Sequence, residues 1–196
     1  QAAATTAEDG LVKRHGLQGP IDDAFMDSFM IVRPTGKTTG AVGAWVDAEM
    51  KRAIHEWKRH FRGEPRVKDD TAVTDDDIAR HHLVLWGTPE SNTLLKKMRP
   101  QLPFRWSPDT VEFGKVSRDA ATHVPLLIYP NPLNPRRYIV INSGCTYREY
   151  DYLNNARQVP KLPDYAVIDV TTPPSARYPG KVVTAGFFDE RWLPPQ

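Results

Sequence analysis

Phe29-Met-Ile-Val-Arg-Pro-Thr-Gly-Lys-Thr-Thr-Gly40, with the segment from Ala41 to Arg62 behind it, decides how this chain is read. Phe29 to Val32 is a short, continuously apolar run, as expected of a strand covered on both faces. Arg33 to Gly40 is polar, carries proline and glycine, and reads as a loop. Beyond it Val42, Val46, Met50, Ala53, Trp57 and Phe61 recur at spacings of three and four. That stripe predicts an amphipathic helix from Ala41 to Arg62, stopped by Gly63, with Trp57 and Phe61 buried. A buried strand, a loop and a long helix in that order open an α/β fold.

Working outward, Arg66-Val-Lys is a minor strand, and Thr74 ahead of Asp75, Asp76 and Asp77 is an N-terminal signal for a short helix. His82 to Gly87 is a second buried strand. Thr88 and Pro89 then fit the N-cap and first position of a helix running to Met98. Val111-Glu-Phe alternates like an edge strand. Val124 to Tyr129 and Tyr138 to Asn142 are strong strands, joined by a proline- and asparagine-rich loop too short for a crossover helix, so direct pairing would be antiparallel. Thr146 to Arg157 is a weak helix, and Tyr165 to Val170 and Val182 to Phe188 are further strands. The expected architecture is a three-layer α/β domain with a central mixed, mainly parallel sheet and helices on both faces. Residues 1–12 are expected to be a disordered segment, and 13–196 a single domain.

Composition excludes several classes. The chain has 196 residues, 40% hydrophobic and 26% charged, enough to bury a core. With 26 basic and 24 acidic residues the net charge is +2, and there is none of the basic stripe of a nucleic-acid binder. No apolar run approaches the roughly 18 residues of a membrane span. The one cysteine, Cys145, forms no internal disulfide. The chain opens on Gln1-Ala-Ala-Ala-Thr-Thr-Ala, a start expected of a processed or excised polypeptide.

The chemical motifs are incomplete. Thr35-Gly-Lys-Thr38 follows a strand and precedes a helix, but a phosphate loop needs its first glycine where Ile31 stands. Ser143 lies between Asn142 and Gly144 and lacks the glycine spacing of a nucleophile elbow. Cys145 would be a nucleophile only beside a histidine; a buried, inert thiol at a strand end is the commoner case. His55 and His60 are five apart, not the four that puts two ligands on one helix face, and His81 and His82 point to opposite faces of a strand. The acidic groups Asp22-Asp23, Asp69-Asp70 and Asp75 to Asp77 lack calcium-loop spacing and read as solvated loops and helix caps. No catalytic residue, metal ligand or cofactor is therefore assigned. Two places remain. If the strands before them are parallel, the loops at Thr35, Lys37 and Thr38, at Ser91 and Asn92, and at Asn142, Ser143 and Thr146 share one rim, where open α/β sheets bind ligands. The plainer alternative is that these residues cap helices. In Tyr129-Pro-Asn-Pro-Leu-Asn-Pro-Arg-Arg-Tyr138, three prolines hold the backbone. Asn131, Asn134, Arg136 and Arg137 then form a fixed interaction loop for a partner or an acidic ligand, unless the arginines pair with nearby acids.

Several phrases together carry a resemblance: Gly16-Leu-Gln-Gly-Pro-Ile-Asp-Asp-Ala-Phe-Met26, Arg66-Val-Lys-Asp-Asp70, His82-Leu-Val-Leu-Trp-Gly87, the Tyr129–Tyr138 segment and Ile141-Asn-Ser-Gly144. The set resembles the C-terminal region of large bacterial proteins of the prolyl-oligopeptidase-family serine peptidases or related esterases, from about Gly16 to Val170. The resemblance implies an exported protein, periplasmic or extracellular, and an accessory domain following an α/β-hydrolase domain. The family's catalytic serine, aspartate and histidine belong to that other domain and match nothing here. The leading expectation is a non-catalytic interaction domain. Its partner would be a hydrolase domain of the same or a companion chain, a polymer or acidic ligand, or a second copy of the chain. The rival is a small-ligand-binding or hydrolytic domain, a serine hydrolase if an enzyme at all, using the rim.

Overall fold

Residues 10–194 are described by a computed structural model. Most of the tail expected to be disordered, residues 1–9, lies outside them. The first strand, β1 (Phe29–Arg33), is followed by α1 (Gly40–Phe61) and β2 (Arg66–Asp69). A short helix, α2 (Asp75–Arg80), leads to β3 (His82–Leu85), and α3 (Thr93–Met98) follows. Three short strands come next, β4 (Arg105–Trp106), β5 (Thr110–Phe113) and β6 (Val116–Asp119). The hairpin β7 (His123–Asn131) and β8 (Asn134–Ile141) precedes β9 (Tyr165–Asp169) and β10 (Lys181–Gly186).

Seven strands make one mixed sheet in the order β10-β9-β7-β8-β3-β1-β2. β2, β1, β3 and β8 pair in parallel. The β8–β7, β7–β9 and β9–β10 pairings are antiparallel. The pairings thus divide evenly, three and three, where parallel pairing was expected to dominate. The reason is local: a two-residue turn joins β7 to β8, and such a connection can only reverse the chain. The inner strands are almost wholly buried apolar residues, as the runs at Phe29, His82, Val124, Tyr138 and Tyr165 predict.

The stripe on α1 largely holds. Val42, Val46 and Met50 are buried; Trp57, expected to be buried, is only partly so and packs edge-on against Phe29 at 4.6 Å. Phe61 corrects the expectation: it is 50% exposed, stacked on Trp57 at 4.2 Å, because the last turn carries it outward. The stop is Arg62, at φ 58°, rather than Gly63. Trp45 and Glu49, outside the expected stripe, are buried too. Trp45 Nε1 donates to the Pro179 carbonyl at 2.5 Å. Glu49 takes a bidentate bond from Arg148 at 2.6 and 3.1 Å, and Arg148 Nε also donates to the Ser175 carbonyl. This pair joins α1 to the segment after β8.

Three further expectations are corrected. The third helix begins at Thr93, not near Pro89: Asn92 Oδ1 accepts from both Leu94 N and Leu95 N, a stronger cap than Thr88, whose carbonyl accepts from Ser91 N and Asn92 N in a turn. Val111 and Phe113 lie in the middle strand of a separate three-stranded sheet, β4-β5-β6, rather than at an edge. Phe113 stacks on Tyr165 at 4.3 Å, docking that small sheet on the large one. Thr146 to Arg157 forms two 3₁₀ turns, Glu149–Leu153 and Asn155–Arg157, because its buried charged residues are held by distant partners rather than by a helical ladder.

The two ends of the described chain are bonded together. Lys13 N donates to the Glu190 carbonyl, and its ammonium reaches the buried Asp164 carboxylate at 2.5 Å while lying 4.9 Å over the Trp192 ring. At β10 the pairing with β9 slips between Val182 and Thr184, a bulge that interrupts the outer edge.

Removing one partner of a buried ion pair strands the other, at a cost of about 3–5 kcal/mol, whereas replacing both by apolar groups is close to neutral. Arg148→Met should therefore lower unfolding stability by about that amount, and Glu49→Leu/Arg148→Met should recover most of it, as measured by chemical denaturation.

Candidate functional site

Because β1, β2, β3 and β8 are parallel, their exits lie at one end of the sheet. The loops holding Thr35, Lys37 and Thr38, Ser91 and Asn92, and Asn142, Ser143 and Thr146 accordingly share a rim. At that rim the polar groups bind one another. Asp70, at the exit of β2, is buried; its carboxylate accepts from Thr35 N at 2.9 Å and Thr93 N at 2.6 Å. Burial raises its pKa, but the bonds from Thr93 and Thr35 outweigh that and hold it below the ordinary carboxylate value. Gly36 N donates to the Ser91 carbonyl at 2.8 Å, and a Cβ on Gly36 would meet the Ser91 backbone at 2.8 Å. The exits of β1 and β3, neighbours in the sheet, are thus zipped shut.

Asn142 closes the next gap. It sits in left-handed geometry, at φ 51°, and its amide clamps Gly87: Oδ1 accepts from Gly87 N at 2.8 Å while Nδ2 donates to the Gly87 carbonyl at 2.9 Å. Ser91 Oγ accepts from Thr88 N, and Asn92 caps α3 and donates to the Trp86 carbonyl. Thr146 gives its N–H and hydroxyl to Asp22 and accepts from Lys161 N. Asp22 is therefore buried against the chain, not solvated in a loop; burial raises its pKa, and the Thr146 bonds oppose the rise. Ser143 Oγ donates to the Gly144 carbonyl. Lys37 is exposed and has no ion pair among the described residues, and Thr38 Oγ1 is buried without a partner.

Two narrow spaces lie under α1. One is bordered by Glu49, Arg52, Trp86, Ser143 and Arg148, the other by Phe29, Trp57, Cys145 and Tyr152, and each is about 20 Å³. That is room for about one water molecule. No histidine borders either space. Burial, with the Asp22 charge adding to it, pushes the Cys145 thiol up to about 12, so it stays a thiol at neutral pH. Among the described residues no three histidine, cysteine or acidic side chains are grouped to hold a metal. His82 lies at the entrance of β3, away from the rim; it is buried, its Nδ1 accepts from Tyr138 N, and burial with the nearby Arg137 charge lowers its pKa to about 4.

The larger concavities are open. One groove of about 880 Å³ runs between α2, α3 and the β7–β8 hairpin, and its walls include Ile78, Lys97, Leu133, Pro135, Arg136 and Arg137. Another, of about 710 Å³, follows the proline-rich segment from Arg99 to Pro108. The hairpin is stiff. Asn131 Oδ1 accepts from Leu133 N, Asn134 Oδ1 from Arg136 N, and Asn134 Nδ2 donates to the Ile78 carbonyl on α2. The expected long loop is two strands joined at Pro132 and Leu133. Its arginines part ways: Arg137 bonds Asp27 at 2.6 Å, while Arg136 has no ion pair among the described residues. Sequence reasoning missed the closing role of Asp70, the Asp22–Thr146 contact and the place of Lys97 in the groove; each depends on residues remote in the chain.

No family model, curated protein or solved structure matches this chain.

Two measurements follow from this geometry. Asn142→Ala should cost about 2–3 kcal/mol, through two lost bonds and a left-handed residue with a Cβ, and Asn142→Gly about 1 kcal/mol less, read by denaturant unfolding. His82 is held neutral in the fold, so its contribution is complete above pH 6.5 and is lost as pH falls toward about 4. The loss amounts to about 3 kcal/mol by pH 4. Asp22 and Asp164 shift in the opposite sense, so the test is the difference between wild type and His82→Asn, which should decline less steeply across that window.

Proposed function

We propose that this chain is a non-catalytic accessory domain that works by association with an α/β-hydrolase domain of the same or a companion chain, in an exported, peptidase- or esterase-like protein. One observation carries the reading: the polar residues at the strand exits are bonded to one another and to the fold, and the spaces beside them hold about one water each. A hydrolytic site at Ser143 would need a base; its hydroxyl donates to a main-chain carbonyl, and no histidine borders the space beside it. The concavities large enough for another molecule lie away from the rim, one beside the rigid hairpin and one along the proline-rich segment from Arg99 to Pro108. The phrases behind the family resemblance also interlock, since the Tyr138 hydroxyl donates to Asp23 and accepts from Gly19 N, and Gly87 N donates to Asn142. They describe a shared scaffold, in keeping with an accessory role.

In this reading the sheet is the middle of three layers. Connections between parallel strands are right-handed in nearly all cases. The chain passes from β1 outward to β2 through α1, then back across β1 to β3 through α2. Opposite directions of travel with one handedness call for opposite faces.

The test is twofold. The purified chain should not hydrolyse activated esters or prolyl peptides above background, and it should co-elute in size-exclusion chromatography with the hydrolase domain encoded in the same or an adjacent reading frame. Turnover that disappears in Ser143→Ala, or a gene with no hydrolase neighbour and no association, would overturn the reading.

A further inference from the structure

We propose that the groove between α2, α3 and the β7–β8 hairpin receives an extended acidic peptide segment of the partner, carboxylates meeting Arg136 and Lys97 and an apolar side chain seated against Ile78 and Leu133. The proposal rests on the interaction-domain reading and names the chemistry of the partner.

Charge comes first. The groove walls carry three cations, Lys97, Arg136 and Arg137, against one carboxylate, Asp75. Arg137 is held by Asp27. Lys97 and Arg136 have no ion pair among the described residues, although cations nearby on the same or adjoining elements do: Lys68 with Asp77, Arg80 with Asp76, and Arg99 with Glu90. Asp75 opens α2, where a carboxylate complements the helix dipole. Two uncompensated cations therefore face one concavity, and both are exposed, so a carboxylate reaches them without deep desolvation.

Shape and stiffness select a peptide. Ile78, Ala79, Leu133 and Pro135 add apolar lining to the same groove, which suits a peptide carrying both charged and apolar side chains. No aromatic ring lines the groove, so it offers neither the stacking platform that single-stranded nucleic acid uses nor a face for a sugar ring. Asn134 ties the hairpin to α2 through the Ile78 carbonyl, and Asn131 fixes the turn. The receiving surface is ordered before the partner arrives, which lowers the entropic cost of binding.

The experiment is fluorescence anisotropy with a labelled octapeptide of alternating glutamate and leucine. An equal-length lysine–leucine peptide, labelled oligothymidine and polygalacturonate serve as competing classes. The glutamate–leucine peptide should bind and weaken as salt is raised, since exposed charges are screened. Lys97→Ala/Arg136→Ala should weaken it by about tenfold or more with the melting temperature unchanged, and Lys96→Ala, on α3 but outside the groove, should not. Binding that survives the double variant, or preference for the oligonucleotide or the polyuronate, overturns the proposal. Co-elution with the hydrolase domain separates the two readings. If that association persists in the double variant while the acidic peptide fails to bind the wild type, the groove proposal falls and the accessory-domain reading stands. Peptide binding at the groove without hydrolase association gives the reverse.

Discussion

Where parallel strands end side by side, their exit loops carry backbone amides that the sheet ladder no longer pairs, and buried amides left unpaired are costly. In this protein the partners come from the fold itself. The carboxylate of Asp70 takes the amides of Thr35 and Thr93, and the side-chain amide of Asn142 takes both peptide groups of Gly87. Each contact crosses from one loop to another, so the exits of β1, β2, β3 and β8 behave as one rigid collar. In many open α/β sheets the same end of the sheet is left open for a ligand. Here the donors that would hold a ligand already hold the chain.

A second set of buried charges works on the long helix. Glu49 and Arg148 sit between α1 and the segment after β8, and Trp45 reaches across to Pro179. These contacts explain how a stretch with little regular secondary structure, from Asn142 to about Pro163, keeps one path over the sheet. It is pinned by polar contacts at a few residues, with Asp22 and Thr146 at its start and Lys161 soon after. A buried ion pair adds little net stability over a well-packed apolar pair, but either charge left alone is costly, so the two elements it joins separate only at that cost.

The elements that sequence alone made legible are those whose signal is local. Phe29 to Val32, Leu83 to Leu85 and Tyr165 to Ile168 are uninterrupted apolar runs, and Thr74 ahead of Asp75 to Asp77 opens the short helix expected there. The misreadings share a cause. Glu49 lies on the buried side of α1, but a carboxylate in a helical pattern reads as surface until its arginine is known. Thr88-Pro89 and Asn92 are both plausible starts for one helix, and the choice falls to the residue whose side chain reaches two amides. Tertiary packing alone leaves Phe61 half-exposed and places Phe113 against Tyr165. At the rim, strand direction was enough to bring the three loops together in advance. The closure was invisible, because Asp70 meets residues 35 and 23 positions away and Asp22 meets one 124 away.

The bulge in β10 has a consequence for how this molecule meets others. A regular outer strand offers a row of peptide groups on which any extended chain can crystallise as the next strand, with little regard to its sequence. The slip between Val182 and Thr184 breaks that row, and the opposite border, β2, is only four residues long and carries Arg66, Lys68 and Asp69. Neither border is a template for indiscriminate strand addition. Recognition is left to side chains, which can tell one neighbour from another, and the sheet stays finite in a crowded compartment.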